Sequence, residues 1–81
     1  MNVRVQFYAQ LRDVAKISEL EIDLTPDATV TQLLEKIYQR IPNLRGHDKT
    51  ILVATGVEFV QRNYPLKPGE TIAIMPPVQG G

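Results

Sequence analysis

The sequence predicts a single α+β domain in which one helix packs across a mixed β-sheet. Three observations support this fold class: two segments of period-two alternation near the N-terminus, one amphipathic segment with helical spacing after them, and further short strands towards the C-terminus. The chain has 81 residues, which leaves room for one domain. Hydrophobic residues form 43% of the sequence and charged residues 22%, so we expect a folded core.

The two N-terminal segments have the alternation of half-buried strands. One face of each segment is apolar and is predicted to face the core. These apolar residues are Val3, Val5 and Phe7 in the first segment, and Leu20, Ile22 and Leu24 in the second. The connection through residues 11–18 is too long for a tight hairpin, so we expect one helical turn in it and an antiparallel return. Pro26 and Asp27 end the second strand.

A helix of about three turns is predicted next. Thr29 and Gln32 have the spacing of a capping box, in which each side chain bonds the backbone of the other residue. The apolar residues that then share one helical face are Val30, Leu33, Leu34, Ile37 and Ile41. Pro42 ends the helix, because the residue before a proline disfavours helical geometry.

The C-terminal half predicts a loop over residues 42–49, a buried strand over 51–54 that stops at Gly56, and a brief return at 59–60. A turn over 67–70 leads into a last strand that ends at residue 75. A hairpin, one main helix and further strands form the β-grasp arrangement, with four to five strands in a mixed sheet. We therefore divide the chain into a β-grasp domain, residues 1–75, and a flexible tail, residues 76–81.

Composition excludes several classes of function. Nine Lys and Arg balance nine Asp and Glu, whereas a nucleic-acid-binding protein carries a basic surface. The longest apolar run is far below the roughly 20 residues that span a bilayer, and no signal-peptide pattern is present, so we expect a cytoplasmic protein with no membrane contact. The chain has no cysteine, so it has neither disulfides nor a thiol nucleophile.

The folded part of the sequence has few candidates for catalysis. His47 is the only histidine, and no second imidazole or thiol completes a metal site or a triad, so we predict no metal and interpret His47 as a solvated loop residue. The carboxylates Glu19 and Glu21 fall on an outward strand face, where a catalytic pKa shift is not expected. The sequence lacks the parts of a self-contained enzyme.

The C-terminal tail is the part of the sequence with a candidate for chemistry. Pro76 and Pro77 lack backbone donors and hold φ near −65°, so strand pairing cannot continue through them and the chain beyond is expected to project. Gly80 and Gly81 have no Cβ, which makes the terminus thin enough to enter a narrow channel in a partner. A frayed terminus without function would also be small and flexible. The residues alone leave both interpretations open.

Three segments resemble the small subunit of molybdopterin synthase, the MoaD type of sulfur carrier. They are residues 7–12 (Phe-Tyr-Ala-Gln-Leu-Arg), 66–70 (Leu-Lys-Pro-Gly-Glu) and 74–81 (Ile-Met-Pro-Pro-Val-Gln-Gly-Gly). The resemblance covers the whole chain, and its most specific element is the terminal Pro-Pro-Val-x-Gly-Gly. Met75 departs from the family pattern, which has an aromatic residue there.

The resemblance implies a mechanism centred on Gly81. An adenylyltransferase of the ubiquitin-activating type uses ATP to adenylate the terminal carboxylate, and a persulfide donor converts it to a thiocarboxylate. The chain binds no cofactor and does not catalyse the reaction alone. Within a heterotetramer, the tail residues Pro76, Pro77, Val78, Gln79 and Gly80 thread into the large synthase subunit, where the sulfur builds the dithiolene of molybdopterin on a cyclic pyranopterin precursor.

The resemblance also implies an apolar docking surface for these partners, formed by Phe7, Phe59 and Met75. The alternative is that each belongs to the core, and Phe7 is in phase with the core-facing residues of its strand. Three other functions stay open: a sulfur carrier for thiamin synthesis, a ubiquitin-like protein modifier, and a β-grasp interaction module whose tail has no role. The carriers and the modifier share the activation step and differ in the acceptor.

Overall fold

The computed structural model describes residues 1–77. The strands are β1 (Asn2–Phe7), β2 (Glu19–Asp23), β3 (Leu52–Thr55), β4 (Glu58–Val60) and β5 (Thr71–Met75), and the helices are α1 (Ala9–Ala15) and α2 (Val30–Arg40). A 3-10 helix spans Pro42–His47. The predicted α+β class is confirmed, although α1 is longer than the one turn expected from the sequence and the predicted loop after α2 contains the 3-10 helix.

The five strands form one mixed sheet in the order β2-β1-β5-β3-β4. β1 and β5 are parallel neighbours at the centre, and the other pairs are antiparallel. This is the β-grasp topology that the sequence predicted. Because β1 and β5 run in the same direction, the C-terminal end of β5 lies beside the end of β1.

The inner face of the sheet forms the core with the two helices. Its buried strand residues are Val3, Val5, Phe7, Ile22, Val53, Ile72 and Ile74. The buried face of α2 has Val30, Leu33, Leu34 and Ile37 as predicted, together with Tyr38, whereas Ile41 is only half-buried. Burying each large apolar side chain stabilises the fold by about 1.5–3 kcal/mol.

The predicted stop and start signals are found where the sequence placed them. The backbone N–H of Thr29 donates to Gln32 Oε1 at 2.7 Å, which is one half of the capping box that begins α2. Gly56 has φ +55° at the first position of the two-residue turn between β3 and β4, a backbone conformation that side chains with a Cβ rarely adopt. Neither helix of residues 1–77 is long and apolar enough to cross a membrane.

Candidate partner-docking surface

The outer face of the sheet has two halves of different chemistry. The helices pack on the inner face, so every second strand residue points away from the core. Over β2 and β1 these residues are polar, with Glu19, Glu21 and Asp23 in one row on β2. Over β5, β3 and β4 they are mostly apolar. The sheet therefore has an acidic half and an apolar half on the same face.

The apolar half is here called the apolar patch, and its residues are Tyr8, Leu52, Phe59, Ala73 and Met75. The strand register brings them together: Leu52 is opposite Met75, and Ala54 is opposite both Ala73 and Phe59. Phe59 is 62% exposed, whereas Ala54 beside it is only 6% exposed. A contiguous exposed apolar surface on a small protein is typical of a site that binds another protein.

Two of the three predicted docking residues lie in this patch, and the third does not. Phe59 is exposed and Met75 is half-buried on the outer face. Phe7 is 2% exposed and belongs to the core, so its predicted docking role is wrong and the core alternative is correct. The reason is the pleat of β1, which turns Phe7 inward together with Val3 and Val5.

Tyr8 is the patch residue that the sequence interpretation missed. It follows Phe7, so its side chain points to the opposite face; it is 46% exposed and its hydroxyl donates to Gln6 Oε1 at 2.9 Å. Its backbone N–H donates to the Ile74 carbonyl at 3.0 Å, which places it beside Met75. The period-two alternation of the sequence indicates this position, since Tyr8 continues the outward series of Arg4 and Gln6.

The tail leaves the sheet next to the patch. β5 ends at Met75 in the middle of the sheet, and Pro76 and Pro77 follow as half-buried residues without secondary structure. The predicted tail residues Val78, Gln79, Gly80 and Gly81 lie outside the described residues. A protein that covers the patch would thus be positioned at the root of the tail.

A small polar network lies at the open end of the β3–β4 hairpin, which supplies Leu52 and Phe59 to the patch. Asp48 Oδ1 accepts from the Tyr38 hydroxyl at 2.5 Å and from Arg62 Nη1 at 3.1 Å. The hydrogen bond from Tyr38 and the neighbouring Arg62 hold the pKa of Asp48 below its usual value. Burial and the bond to Asp48 raise the pKa of Tyr38, so the phenol stays protonated and donates.

The described residues provide a binding surface. His47 is at the end of the 3-10 helix, and no three His, Cys, Asp or Glu side chains within residues 1–77 are grouped closely enough to hold a metal ion. An open groove of about 450 Å³ adjoins the patch and shares Leu52 and Phe59 with it. The residues predicted to carry chemistry, Gly80 and Gly81, are outside the described part of the chain.

A β-grasp sheet with its C-terminal strand at the centre and an apolar outer surface is the architecture of a ubiquitin-like protein. The sequence profile of the ThiS family matches residues 5–81, and the chain belongs to that family. It is 35% identical over 83 aligned residues to the molybdopterin synthase sulfur carrier subunit of Chlamydomonas reinhardtii, and the alignment covers 100% of both chains.

Two solved structures have the same fold. A Pyrococcus furiosus protein assigned as molybdopterin converting factor subunit 1 superimposes with a TM-score of 0.87 at 28% identity, covering 96% of this chain and 99% of that one. The complex of subunits 1 and 2 of the Helicobacter pylori molybdopterin-converting factor contains a chain that matches with a TM-score of 0.70 at 28% identity, with full coverage of both chains.

Proposed function

We propose that this chain is the sulfur-carrier subunit of a molybdopterin synthase. The observation that carries the proposal is the full-length similarity, at 35% identity, to a molybdopterin synthase sulfur carrier subunit. Two features of the chain support it: the terminal Gly80-Gly81, and the position of the apolar patch at the root of the tail that bears them.

Gly81 is the reacting residue in this proposal. Its carboxylate attacks the α-phosphorus of ATP in an adenylyltransferase of the ubiquitin-activating type, and pyrophosphate leaves. The acyl adenylate is now an electrophile, so the outer sulfur of a persulfide donor attacks its carbonyl and displaces AMP. A thiol then cleaves the sulfur–sulfur bond, which leaves the thiocarboxylate on Gly81 and a disulfide on the donor.

The thiocarboxylate next enters the active site of the large synthase subunit. The complex of subunits 1 and 2 in Helicobacter pylori, which contains a chain 28% identical to this one, supports a large-subunit partner. The four residues 78–81 reach at most about 13–14 Å beyond Pro77, so the folded body has to dock closely for the sulfur to arrive. The apolar patch is the surface suited to this docking, and Gly80 without a Cβ lets the end pass a constriction.

The large subunit supplies the rest of the chemistry. It binds the cyclic pyranopterin precursor and provides the acid and base groups, while the sulfur of this chain forms the new carbon–sulfur bond. Hydrolysis returns Gly81 to a carboxylate for another cycle. Two such transfers supply the two sulfurs of the dithiolene, so the chain acts as a recycled sulfur donor.

A reconstituted synthase tests the proposal. The thiocarboxylated chain, mixed with the large subunit and precursor, should form molybdopterin, and a chain that lacks Gly81 should not. The variant Lys36→Ala is the control and should convert the precursor as the wild type does, because it changes an exposed residue of α2 and keeps the whole tail. Precursor conversion by the chain without Gly81 would overturn the mechanism. A wild-type chain that does not support conversion here but forms covalent conjugates to proteins in cells would favour the ubiquitin-like modifier.

A further inference from the structure

Both strands of the β3–β4 hairpin are joined at their open end by one guanidinium. Arg62 follows β4 by two residues, and its Nη2 donates to the Asp48 carbonyl at 2.6 Å and to the Ile51 carbonyl at 3.4 Å. Its Nη1 donates to Asp48 Oδ1 at 3.1 Å. Asp48 and Ile51 lie in the segment that leads into β3. Arg62 therefore links the chain that enters the hairpin to the chain that leaves it.

The backbone of Arg62 is held as well. Its carbonyl oxygen accepts from the N–H and from the Oγ1 of Thr31 in the first turn of α2, each at 3.0 Å. Asp48 is tied to the same helix by the Tyr38 hydroxyl. The backbone of Arg62 is thus held to the first turn of α2, and its side chain is linked through Asp48 and Tyr38 to the last turn.

The edge strand β4 needs this link because the core holds it weakly. β4 has three residues and is an edge strand, and only Val60, which is half-buried, packs against the core. Phe59 and Glu58 are exposed. β4 pairs with β3 on one side only, whereas β3 is also paired with β5. Phe59, which belongs to the patch, is therefore the residue whose placement depends on β4.

We infer that Arg62 is a positioning residue of the docking surface, which closes the open end of the hairpin and so fixes Phe59 on β4 for the large synthase subunit. The partner in this inference rests on the proposed function. The fork of the guanidinium matters as well as its charge, since it reaches two carbonyls and a carboxylate from one plane, whereas the ammonium of a lysine is a point donor on a flexible stem.

The chain contains a matched control. Arg40, on the exposed side of α2, donates from Nη1 to the Glu21 carbonyl of β2 at 3.2 Å, at the opposite edge of the sheet from β4. Arg62→Met and Arg40→Met thus remove the same charge and a side-chain bond to a backbone carbonyl, one at the apolar half and one at the acidic half. Arg62→Lys keeps the charge and loses the fork.

Binding and turnover with the large subunit separate positioning from stability. We expect the Kd of the full chain to rise about tenfold in Arg62→Met and by a smaller factor in Arg62→Lys, and to stay unchanged in Arg40→Met. The rate of precursor conversion at saturating large subunit should stay the same in all three variants, because Gly81 is untouched. Equal Kd values for Arg62→Met and Arg40→Met would overturn the inference.

Amide hydrogen exchange on the free chain tests the inference without the partner. In Arg62→Met the Val60 amide should exchange faster than in the wild type, while the amides of β1 and β2 keep their rates. Uniform acceleration of exchange throughout the sheet would show that Arg62 contributes only general stability. If Arg62→Met does not fold, the same comparison is made with Arg62→Lys: faster exchange at Val60 alone supports the inference, and uniform acceleration contradicts it. A wild-type chain that does not bind the large subunit would overturn the proposed function, and the exchange pattern alone would then decide whether Arg62 positions the hairpin.

Discussion

The two faces of the sheet are made by the same strands, yet only the inner face is buried in the core. On the inner face Val5, Ile74 and their neighbours are buried against the helices. On the outer face the intervening residues are polar over β2 and β1 and mostly apolar over β5, β3 and β4. A shift of one residue along a strand thus separates a side chain that stabilises the fold from one available for recognition.

Phe7 and Tyr8 show most clearly how neighbouring residues differ in exposure between the two faces. Phe7 is the last residue of β1 and Tyr8 follows it, and the two aromatic side chains point to opposite faces, with 2% and 46% of their surface exposed. Aromatic character alone does not assign a residue to a docking surface; its phase in the strand does. The following predictions test whether the two faces are as independent as this geometry implies.

The largest change in the free energy of unfolding is expected for substitution of Phe7. Phe7→Ala should lower the free energy of unfolding by about 3–5 kcal/mol, because it leaves a cavity in a packed core. Tyr8→Ala should change it by about 0.5–1 kcal/mol and should instead weaken binding to the large subunit. Urea denaturation and calorimetric titration measure the two quantities. A destabilisation by Tyr8→Ala as large as that of Phe7→Ala would contradict the assignment of faces.

Phe59 should contribute mainly to binding. Phe59→Ser should raise the Kd for the large subunit by about ten- to thirtyfold, the loss typical of an aromatic anchor in an interface, with a small change in unfolding free energy. Val57→Ser is the control, since Val57 is 99% exposed on the turn of the same hairpin but is not in the patch. Equal effects of the two substitutions on Kd would mean that the patch is not the docking surface.

The polar network of Tyr38, Asp48 and Arg62 should make the free energy of unfolding depend on pH. The folded-state pKa of Asp48 is lowered, so its contribution is present above the unfolded value of about 3.9 and is lost as pH falls through the lower folded value. Asp48→Asn should therefore flatten the loss of stability below about pH 4. Urea midpoints at several pH values measure this, and parallel curves for the two proteins would show that Asp48 does not contribute.

The smallest effects are expected in the acidic half. Arg4 Nη2 lies 3.6 Å from Glu21 Oε1, and both side chains are about half exposed. Such surface pairs contribute about 0–1 kcal/mol, so Arg4→Ala and Glu21→Ala should each change unfolding free energy by less than about 0.5 kcal/mol. A double-mutant cycle measures the pair. Neither substitution should alter the Kd for the large subunit, and a change of tenfold would extend the docking surface beyond the patch.

The sequence predicted the elements well where periodicity was strong. The face of α2 and the inward residues of β1 and β5 follow from spacing alone, because burial on one face imposes a period of 3.6 or 2. The 3-10 helix that begins at Pro42 is not evident from the sequence, since its turn-forming residues Asn43 and Gly46 have no helical period. The length of α1 was missed because only Leu11 and Ala15 of its seven residues are buried.

The apolar patch was harder to predict than the fold. Resemblance to a family suggested Phe7, Phe59 and Met75, but only the register of β3 with β4 and β5 shows that Phe59 and Met75 share a face with Leu52. Register depends on pairing between distant segments, which local patterns do not encode. The bonds of Arg62 to Asp48 and Ile51 depend in the same way on loop geometry.

The central claim is that Gly81 carries sulfur as a thiocarboxylate. Intact mass spectrometry of the chain isolated from cells that make molybdopterin tests this claim most directly. The account predicts a species heavier by about 16 Da, the difference between sulfur and oxygen, with the added mass confined to the peptide that contains Gly81. That species should disappear when the activating enzyme is removed. A chain that keeps an unmodified Gly81 carboxylate in cells actively making molybdopterin would contradict the account.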